Sequence, residues 1–512
     1  MEHHPLSYPL RSSERLDSYD RQLVANVHPL DWSNPGAAGR YNLVVLGAGT
    51  AGLVAAAGAA GLGARVALVE RHMMGGDCLN FGCVPSKAMI SSARVMRTIQ
   101  RASEFGIHSD SLPRADFGQV MERIRKLRAE ISPHDSAARF RALGVDVFLG
   151  TARFTGPRSI DVDGQTLHFR KAVIATGARP TVPEIPGLPN VSYHTSDSIF
   201  SLTELPPRLA VIGAGPIGCE LAQTFASLGS RVTLIETSHG ILPREDREAA
   251  DVVLAALQQH GVVLRCCGRQ LEVKQENGHI VLCGSSHETP FQISVDQLLL
   301  ATGRTPNVET LGLETAGVAF DLHTGVTVTD HLQTTNRAVF AAGDVCSAWR
   351  FTHAADSMAR IVIRNALFHG RARMSSLIIP WCTYTTPELA HVGIVEDDAS
   401  ARGISIDTYR QNLAEQDRAV LGGETEGFVK IHVHRGTDRI VGATLVAPHA
   451  GDLISEICLA MTHRLGLRKL ASTVHPYPTM ADAVRRIGDQ YNRTRLTPGL
   501  RSLLQRWFRW RR

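Results

Sequence analysis

The sequence predicts an α/β chain with two copies of a strand, tight turn, helix and strand, followed by an α+β region. Three observations predict it. Two glycine-rich turns, Gly47-Ala48-Gly49-Thr50-Ala51-Gly52 and Gly213-Ala214-Gly215-Pro216-Ile217-Gly218, each join a short apolar strand to a helix. Each helix leads into a second apolar strand that ends on an acid, Glu70 or Glu236. From about residue 378 onward, short strands alternate with helices in a different style.

The elements follow in order. Residues 1–40 read as an extension, with a turn-rich stretch from Asp31 to Gly36. Tyr41 to Leu46 and Arg65 to Val69 are the strands of the first unit. A helix is expected over about Asp116 to Leu143, then two alternating stretches near Val145–Phe154 and Ile160–Phe169. Pro180, Pro183, Pro186 and Pro189 mark a crossover between domains. The second unit comprises Leu209–Ile212, a helix from about Cys219 to Leu228, and Arg231–Ile235. A helix over Thr352–Phe368 precedes the α+β region, which holds Phe428–His434, Ile440–Val446 and Leu453–Thr462. These divisions place boundaries at 41–185, 186–315, 316–377, 378–490 and 491–512.

A chain of 512 residues is too long for one core and suggests two to four domains. Apolar residues at 44% and charged residues at 20% are a globular composition. A net charge of +5 is small for this length and gives no sign of a nucleic-acid partner. The nine cysteines, an odd number in mixed contexts, fit a reducing compartment. No apolar run approaches the ~20 residues of a membrane span. The first forty residues show no apolar leader, so the expected location is cytoplasmic.

Each glycine turn has a physical purpose. Gly47 permits the bend, Gly49 lets a pyrophosphate approach the backbone, and Gly52 allows close helix–strand packing. Unpaired N–H groups at the helix start face the phosphates, and Glu70 can accept from ribose hydroxyls. Gly213, Gly215, Gly218 and Glu236 repeat the arrangement, so two dinucleotide sites are expected. A carboxylate at Glu236 suits the free 2′-hydroxyl of NADH and repels a 2′-phosphate. Thr237, Ser238 and His239 follow, with no arginine before Arg244. The expectation is NADH, with NADPH the alternative if Arg244 turns back toward the site.

The sharpest local feature is Gly75-Gly76-Asp77-Cys78-Leu79-Asn80-Phe81-Gly82-Cys83-Val84-Pro85-Ser86-Lys87. Two cysteines at this spacing can close a disulfide where helical or turn geometry brings their β-carbons to ~4 Å. Pro85 opens a helix after Cys83, and a thiolate near a helix N-terminus has a lowered pKa.

This segment resembles the active-site motif of the flavin disulfide reductases, the class that includes glutathione reductase, dihydrolipoyl dehydrogenase and mercuric reductase. The resemblance spans about residues 41–485. It includes both glycine turns, Ala175-Thr176-Gly177, Ala301-Thr302-Gly303-Arg304 and Ala341-Ala342-Gly343-Asp344. It implies an FAD domain in two parts (41–185 and 316–377), a nicotinamide-nucleotide domain (186–315) and a C-terminal dimerisation domain (378–490), with active sites shared between the subunits of a homodimer. Gly76, Gly177, Gly303 and Asp344 would join the glycine turns in holding cofactor. Cys83 would be the thiolate nearer the flavin and Cys78 the thiol that meets the acceptor. Lys87 would lie by the flavin ring, paired with Glu220. Arg304 and Asn307 would support local architecture. Electrons would pass from NADH to FAD, to the Cys78–Cys83 disulfide, and on to a small-molecule acceptor.

The C-terminal segment departs from the lipoyl and glutathione reductase pattern of His-Pro-Thr with a later Glu. Here Thr473-Val474-His475-Pro476-Tyr477-Pro478-Thr479-Met480-Ala481-Asp482 puts Tyr477 at the histidine position and Asp482 at the glutamate position. Mercuric reductases are similar in carrying a tyrosine there. Imidazole shuttles protons near pH 7, whereas a phenol with a pKa of about 10 does not. His475 is the alternative base. The vicinal cysteines that deliver mercuric ion in such enzymes have no counterpart after Cys458. Cys266-Cys267 reads as a packing pair at a strand end, so no metal site is assigned.

The function expected is therefore a mercuric reductase-like FAD-dependent oxidoreductase acting on a disulfide, thiol-bound or soft-metal acceptor. Dihydrolipoyl dehydrogenase, an NADH oxidase or quinone reductase, and a redox-responsive membrane-associated protein are the alternatives. The last of these rests on residues 498–512. There Leu500, Leu503, Leu504, Trp507 and Phe508 recur at helical spacing among five arginines, a pattern suited to a membrane surface or a protein partner.

Overall fold

The computed structural model describes residues 16–37, 39–108, 111 and 113–512. They form two compact units. One comprises the described residues up to Thr237 together with Gly261–Leu377; the other comprises Ser238–His260 together with Ile378–Arg512.

The first unit is built on a seven-stranded sheet. Its order is Val145–Leu149, Val66–Glu70, Arg40–Leu46, Gln165–Ile174, Ser159–Val162 and Ala152–Gly156, with Val339–Ala341 also paired to Gln165–Ile174. Leu46 lies beside Val69 on one side and Ile174 on the other, all in parallel register. Leu43 to Leu46 are all buried. Successive strand residues face opposite ways, so burial of four in a row means both faces of the sheet are covered. Helix Thr50–Gly61 packs against helix Thr352–Phe368. Gly58 allows their close approach, since a Cβ there would stand 2.6 Å from Ile363 Cδ1.

A second, four-stranded sheet runs Val263–Arg265, Arg231–Ile235, Arg208–Ile212, Gln297–Leu300, all parallel. An antiparallel sheet of Arg269–Glu276, His279–Ser286 and Thr289–Val295 belongs to the same unit.

Three sequence expectations are refined. The helix expected over 116–143 is two helices, Phe117–Ile131 and Ala137–Ala142. Pro133 removes a backbone donor between them, and Ser136 starts the second by accepting from Arg139 N at 3.2 Å. The two alternating stretches are four strands. Asp163 and Gly164, with φ of 48° and 88°, make the two-residue hairpin turn that splits the second stretch. The extension is structured where it is described: Ser18–Val27 is a helix capped by Asp17, with Leu23 and Val27 wholly buried. Trp32 Nε1 donates to Val147 O at 3.2 Å, and Asn34 bonds both ways with Leu149 at 2.8 and 3.0 Å. These side chains occupy backbone groups of an edge strand that would otherwise stand open.

The second unit holds a five-stranded antiparallel sheet ordered Pro380–Thr383, Glu388–Gly393, Ile440–Ala447, Phe428–His434, Ile406–Asn412. Helices Arg247–Gln259 and Ala450–Thr462 pack on its central strand. Lys430, buried in the sheet, is neutralised by Asp246 at 2.9 Å and Glu248 at 2.8 Å, as burial of a charge requires. The final helix, Pro498–Trp510, is capped by Thr497 and has no buried residue. No helix of the described residues is long and apolar enough to cross a membrane.

Candidate functional site

The two glycine turns have the same construction. A Cβ on Gly47 would meet Ala175 O at 2.4 Å, and one on Gly213 would meet Ala301 O at 2.4 Å. A Cβ on Gly52 or Gly218 would meet the carbonyl of the first glycine at 1.8 or 1.9 Å. The middle glycines differ: Gly215 faces open space, and the nearest atom to a Cβ on Gly49 is 3.7 Å away. Each turn is thus closed on its packing sides and open where a pyrophosphate would lie, which fits a dinucleotide at both. Glu70 accepts from Ala48 N at 2.6 Å and His72 N at 2.8 Å. Glu236 accepts from Ala214 N at 2.8 Å and Thr237 N at 2.7 Å. Burial pushes the Glu70 carboxyl above its ordinary pKa, against these hydrogen bonds. Gly177 and Gly303 have φ of 66° and 112° with nothing within 4 Å of a Cβ, so their backbones too stand clear for a ligand.

The cysteine segment is attached to the first turn. Gly75 N donates to Ala48 O at 2.8 Å, and a Cβ on Gly76 would stand 2.6 Å from Gly49 Cα. Gly75 and Gly76 both have positive φ, 88° and 57°, and lead into the short helix Gly76–Asn80 that carries Cys78. Cys83 is the first residue of the long helix Cys83–Gln100, where unpaired N–H groups favour a thiolate.

The two thiols hydrogen-bond each other, and this contact splits them. Donation by Cys78 brings Cys83 down to about 6; Thr352 Oγ1, 3.3 Å from Cys83 Sγ, and the Lys87 charge help, against burial. Cys78 is pushed far up by the same hydrogen bond, by burial and by the neighbouring Cys83 charge. At neutral pH Cys83 is the thiolate and Cys78 the protonated thiol. Lys87 Nζ lies 2.7 Å from Glu220 Oε2, with the glutamate almost wholly buried in helix Pro216–Leu228.

A second charged group adjoins this pair. Arg304 Nη2 lies 3.3 Å from Asp77 Oδ1, and its Nε lies 3.6 Å from Asp344 Oδ2. Arg304 Nη2 also donates to Ala178 O at 2.6 Å. Burial raises the Asp344 carboxyl and lifts Asp197 to about 6, with repulsion from Asp77 adding to it. Asn307 ties Thr176 in place, Nδ2 to Thr176 O at 2.9 Å and its own carbonyl to Thr176 Oγ1 at 2.7 Å. Sequence reasoning missed Thr352 and the Arg304–Asp77 pair. No spacing connects Thr352 to Cys83, 269 positions away.

Tyr477, His475 and Asp482 belong to the other unit, where Arg486 links two of them: its Nη2 lies 3.8 Å from Asp417 Oδ2, the acceptor of the Tyr477 hydroxyl, and its Nε 2.8 Å from Asp482 Oδ2. His475 Nε2 is 2.9 Å from Glu456 Oε1. Exposed Tyr477 donates its hydroxyl to Asp417 Oδ2 at 2.7 Å, which raises the phenol. Asp482 accepts from Arg485 Nε at 2.7 Å and Arg486 Nε at 2.8 Å, which hold its carboxyl low against burial.

Comparison with known proteins agrees with this construction. Residues 41–359 match the model of the pyridine nucleotide-disulphide oxidoreductase family, and residues 379–487 match the dimerisation domain of the same family. The chain is 36% identical over 447 residues to a mercuric reductase of Staphylococcus aureus, covering 87% of this chain and 82% of that protein. It is 33% identical to a dihydrolipoyl dehydrogenase of Thermus scotoductus, covering 87% and 96%. Among solved structures, it superposes on the HOCl-induced flavoprotein disulfide reductase RclA of Escherichia coli with a TM-score of 0.78 and 30% identity, covering 88% of this chain and 99% of that one. Members of this family depend on FAD and use NAD(P)H, and the dimerisation domain supports a homodimer. With two dinucleotide turns, a split-pKa cysteine pair and both family models matched along its length, the chain belongs to the pyridine nucleotide-disulphide oxidoreductases, and it is an enzyme.

Proposed function

We propose that the chain is an NADH-dependent reductase whose Cys78–Cys83 pair passes two electrons to a thiol-bound soft metal ion, in the manner of a mercuric reductase. The observation that carries this reading is Tyr477. A phenol committed to Asp417 stands at the position where a disulfide-reducing relative needs an imidazole. Reduction of a disulfide needs protons delivered to two leaving thiolates. A soft metal ion is instead taken up by direct exchange from its thiolates to the cysteine sulfurs, and the thiolates it leaves behind, being good leaving groups from the metal, take their protons from water afterwards.

FAD, when bound, supplies the relay that accepts two electrons from a nicotinamide and passes them to a disulfide. The residues proposed to hold it are Gly47, Gly49, Gly52, Glu70, Gly76, Gly177, Gly303 and Asp344. The NADH site is assigned to Gly213, Gly215, Gly218 and Glu236. The Lys87 cation, held by Glu220, stabilises negative charge beside the dithiol. Cys83 keeps its thiolate while Cys78 offers the outer sulfur to the acceptor. For a dithiolate complex the balance is Hg(SR)2 + NADH + H+ giving Hg(0), two RSH and NAD+. Active sites shared across the homodimer would bring Tyr477 and Asp482 from the partner subunit.

One observation favours a second reading, dihydrolipoyl dehydrogenase: the His475–Glu456 pair at 2.9 Å is a histidine–carboxylate couple of the kind a proton shuttle uses. The test is anaerobic steady-state NADH oxidation by the FAD-loaded enzyme, with thiol-bound Hg(II) and lipoamide as rival acceptors. Turnover in the usual ~1–10³ per second range with mercury and traces with lipoamide supports the first reading; the reverse supports the second. For the nucleotide, Glu236→Ala should cost NADH at least about tenfold more kcat/KM than NADPH, equivalent to one charge-assisted hydrogen bond of ~1.4 kcal/mol. An unchanged ratio rejects the NADH assignment.

The exposed basic helix Pro498–Trp510 is assigned to contact with an anionic membrane surface, on the strength of its apolar stripe and arginines. Cosedimentation with anionic vesicles should fall when the chain is truncated before Pro498, and equal binding rejects the contact.

A further inference from the structure

One cluster of sulfur and imidazole donors takes no part in the function proposed above. Cys266 and Cys267 follow strand Val263–Arg265, and His287 lies in the turn between His279–Ser286 and Thr289–Val295. Their ligand atoms all lie within 4.8 Å of one another, and Cys266 Sγ is 3.1 Å from His287 Nε2. Adjacent residues of an extended strand point to opposite faces. Cys267 breaks that alternation with a left-handed φ of 53°, which lets both sulfurs approach one imidazole. His287 and Glu288 are left-handed as well, with φ of 47° and 64°, and Ser286 Oγ donates to Cys266 O at 2.8 Å, tying the turn to the cysteine loop. His287 and Glu288 are the two central residues of a tight hairpin, where positive φ is the ordinary geometry, so the position of the imidazole is fixed by the strands on either side of it.

We propose that Cys266, Cys267 and His287 form a binding site for a thiophilic d10 cation, with Zn2+ as its ordinary occupant, bound by two thiolates and one imidazole. The distances suit such an ion. Tetrahedral zinc, with bonds of about 2.3 Å to sulfur and about 2.0–2.1 Å to nitrogen, separates sulfur from nitrogen by about 3.5 Å and sulfur from sulfur by about 3.8 Å. The present Sγ···Nε2 contact need open by only about half an ångström to admit it. The site borders the second glycine-turn unit, because Gly268 N donates to Glu236 O at 2.9 Å and Glu236 N donates to Arg265 O at 2.9 Å.

The test uses FAD-loaded full-length enzyme carrying Cys78→Ser and Cys83→Ser, so that the redox pair cannot report. The protein is reduced with a phosphine, stripped with a chelator and titrated anaerobically with Co2+, then with Zn2+ against a chromophoric competitor. One ion per chain is expected, with sulfur-to-cobalt charge-transfer absorption. Adding Cys266→Ser, Cys267→Ser or His287→Gln should weaken binding at least tenfold, since loss of a residue that only supports a ligand already costs about 10–100-fold. Cys283→Ser, on the same hairpin but outside the cluster, should change nothing. His287→Gln, at an exposed turn, decides the matter should a cysteine variant lose FAD. Absence of a bound ion, or equal affinity in the His287→Gln protein, overturns the proposal. Neither result bears on the acceptor of the redox pair.

Discussion

The dithiol region and the C-terminal Tyr477 region make an instructive contrast. Around Cys78 and Cys83, Thr352 at 3.3 Å from Cys83 and the Lys87 cation, paired with Glu220 at 2.7 Å, favour the Cys83 thiolate, and the opposing Asp77 charge is paired with Arg304 at 3.3 Å. Around Tyr477 the hydroxyl donates to Asp417, Arg486 pairs with both Asp417 and Asp482, and His475 turns instead to Glu456. The first arrangement favours a thiolate on Cys83 against burial and the Asp77 charge. In the second, Tyr477 is exposed, while Asp482 is buried and the His475 side chain nearly so. In the function proposed above, electron delivery is set at the dithiol and the choice of acceptor at the Tyr477 segment.

That contrast can be broken first at Cys78. Cys78→Ser should lower acceptor turnover by at least about 10³-fold, the scale of losing a covalent participant, while NADH still bleaches the bound flavin in a single-turnover measurement. Loss of flavin reduction in that variant would place Cys78 upstream, contrary to the order proposed. Next in size, Tyr477→Phe should lower metal-ion turnover by about 10–100-fold, the span of removing one positioned donor, and leave flavin reduction by NADH unchanged. An equal loss in both steps would mean that the tyrosine supports folding or dimer formation instead.

Smaller effects sharpen the dithiol side. Cys83 loses its proton near pH 6 because Cys78 donates to it, aided by Thr352 and Lys87. Its thiolate fraction should therefore be high at pH 7 and decline as the pH falls through about 6. Lys87→Met removes a favourable charge and should raise that midpoint by about one unit, or 1.4 kcal/mol. Thr352→Val should raise it by less. Both shifts are read from the pH dependence of iodoacetamide alkylation in the reduced enzyme. A midpoint that stays near 6 in both variants would leave the Cys78 hydrogen bond and the helix N-terminus as the causes.

Much of the fold was legible because it is written in local pattern. The strand Arg231–Ile235 and the helix Thr352–Phe368 fall where their apolar spacing put them. The errors arose where a turn lay inside a plausible pattern. Ser132–Ser136 broke an expected long helix, and Asp163–Gly164 folded one alternating stretch into a hairpin. The Ser18–Val27 helix went unread because its apolar face is narrow and its burial depends on helix Phe117–Ile131. At the site, the Lys87–Glu220 contact came from likeness to a family, since 133 residues separate the pair. Thr352, Arg304–Asp77 and the His287 side of the cysteine cluster carry no sequence signal at all: each is made by tertiary approach of distant segments.

The most direct test of the claim that the C-terminal region selects the acceptor is a ratio. Turnover with thiol-bound Hg(II) and with lipoamide should be measured under anaerobic conditions in the native enzyme and in Tyr477→His. The account predicts a ratio well above one in the native enzyme and at least a tenfold fall in the variant, driven by a gain in lipoamide turnover as an imidazole restores the proton relay. A ratio that does not change, in a variant that still reduces its flavin normally, would contradict it.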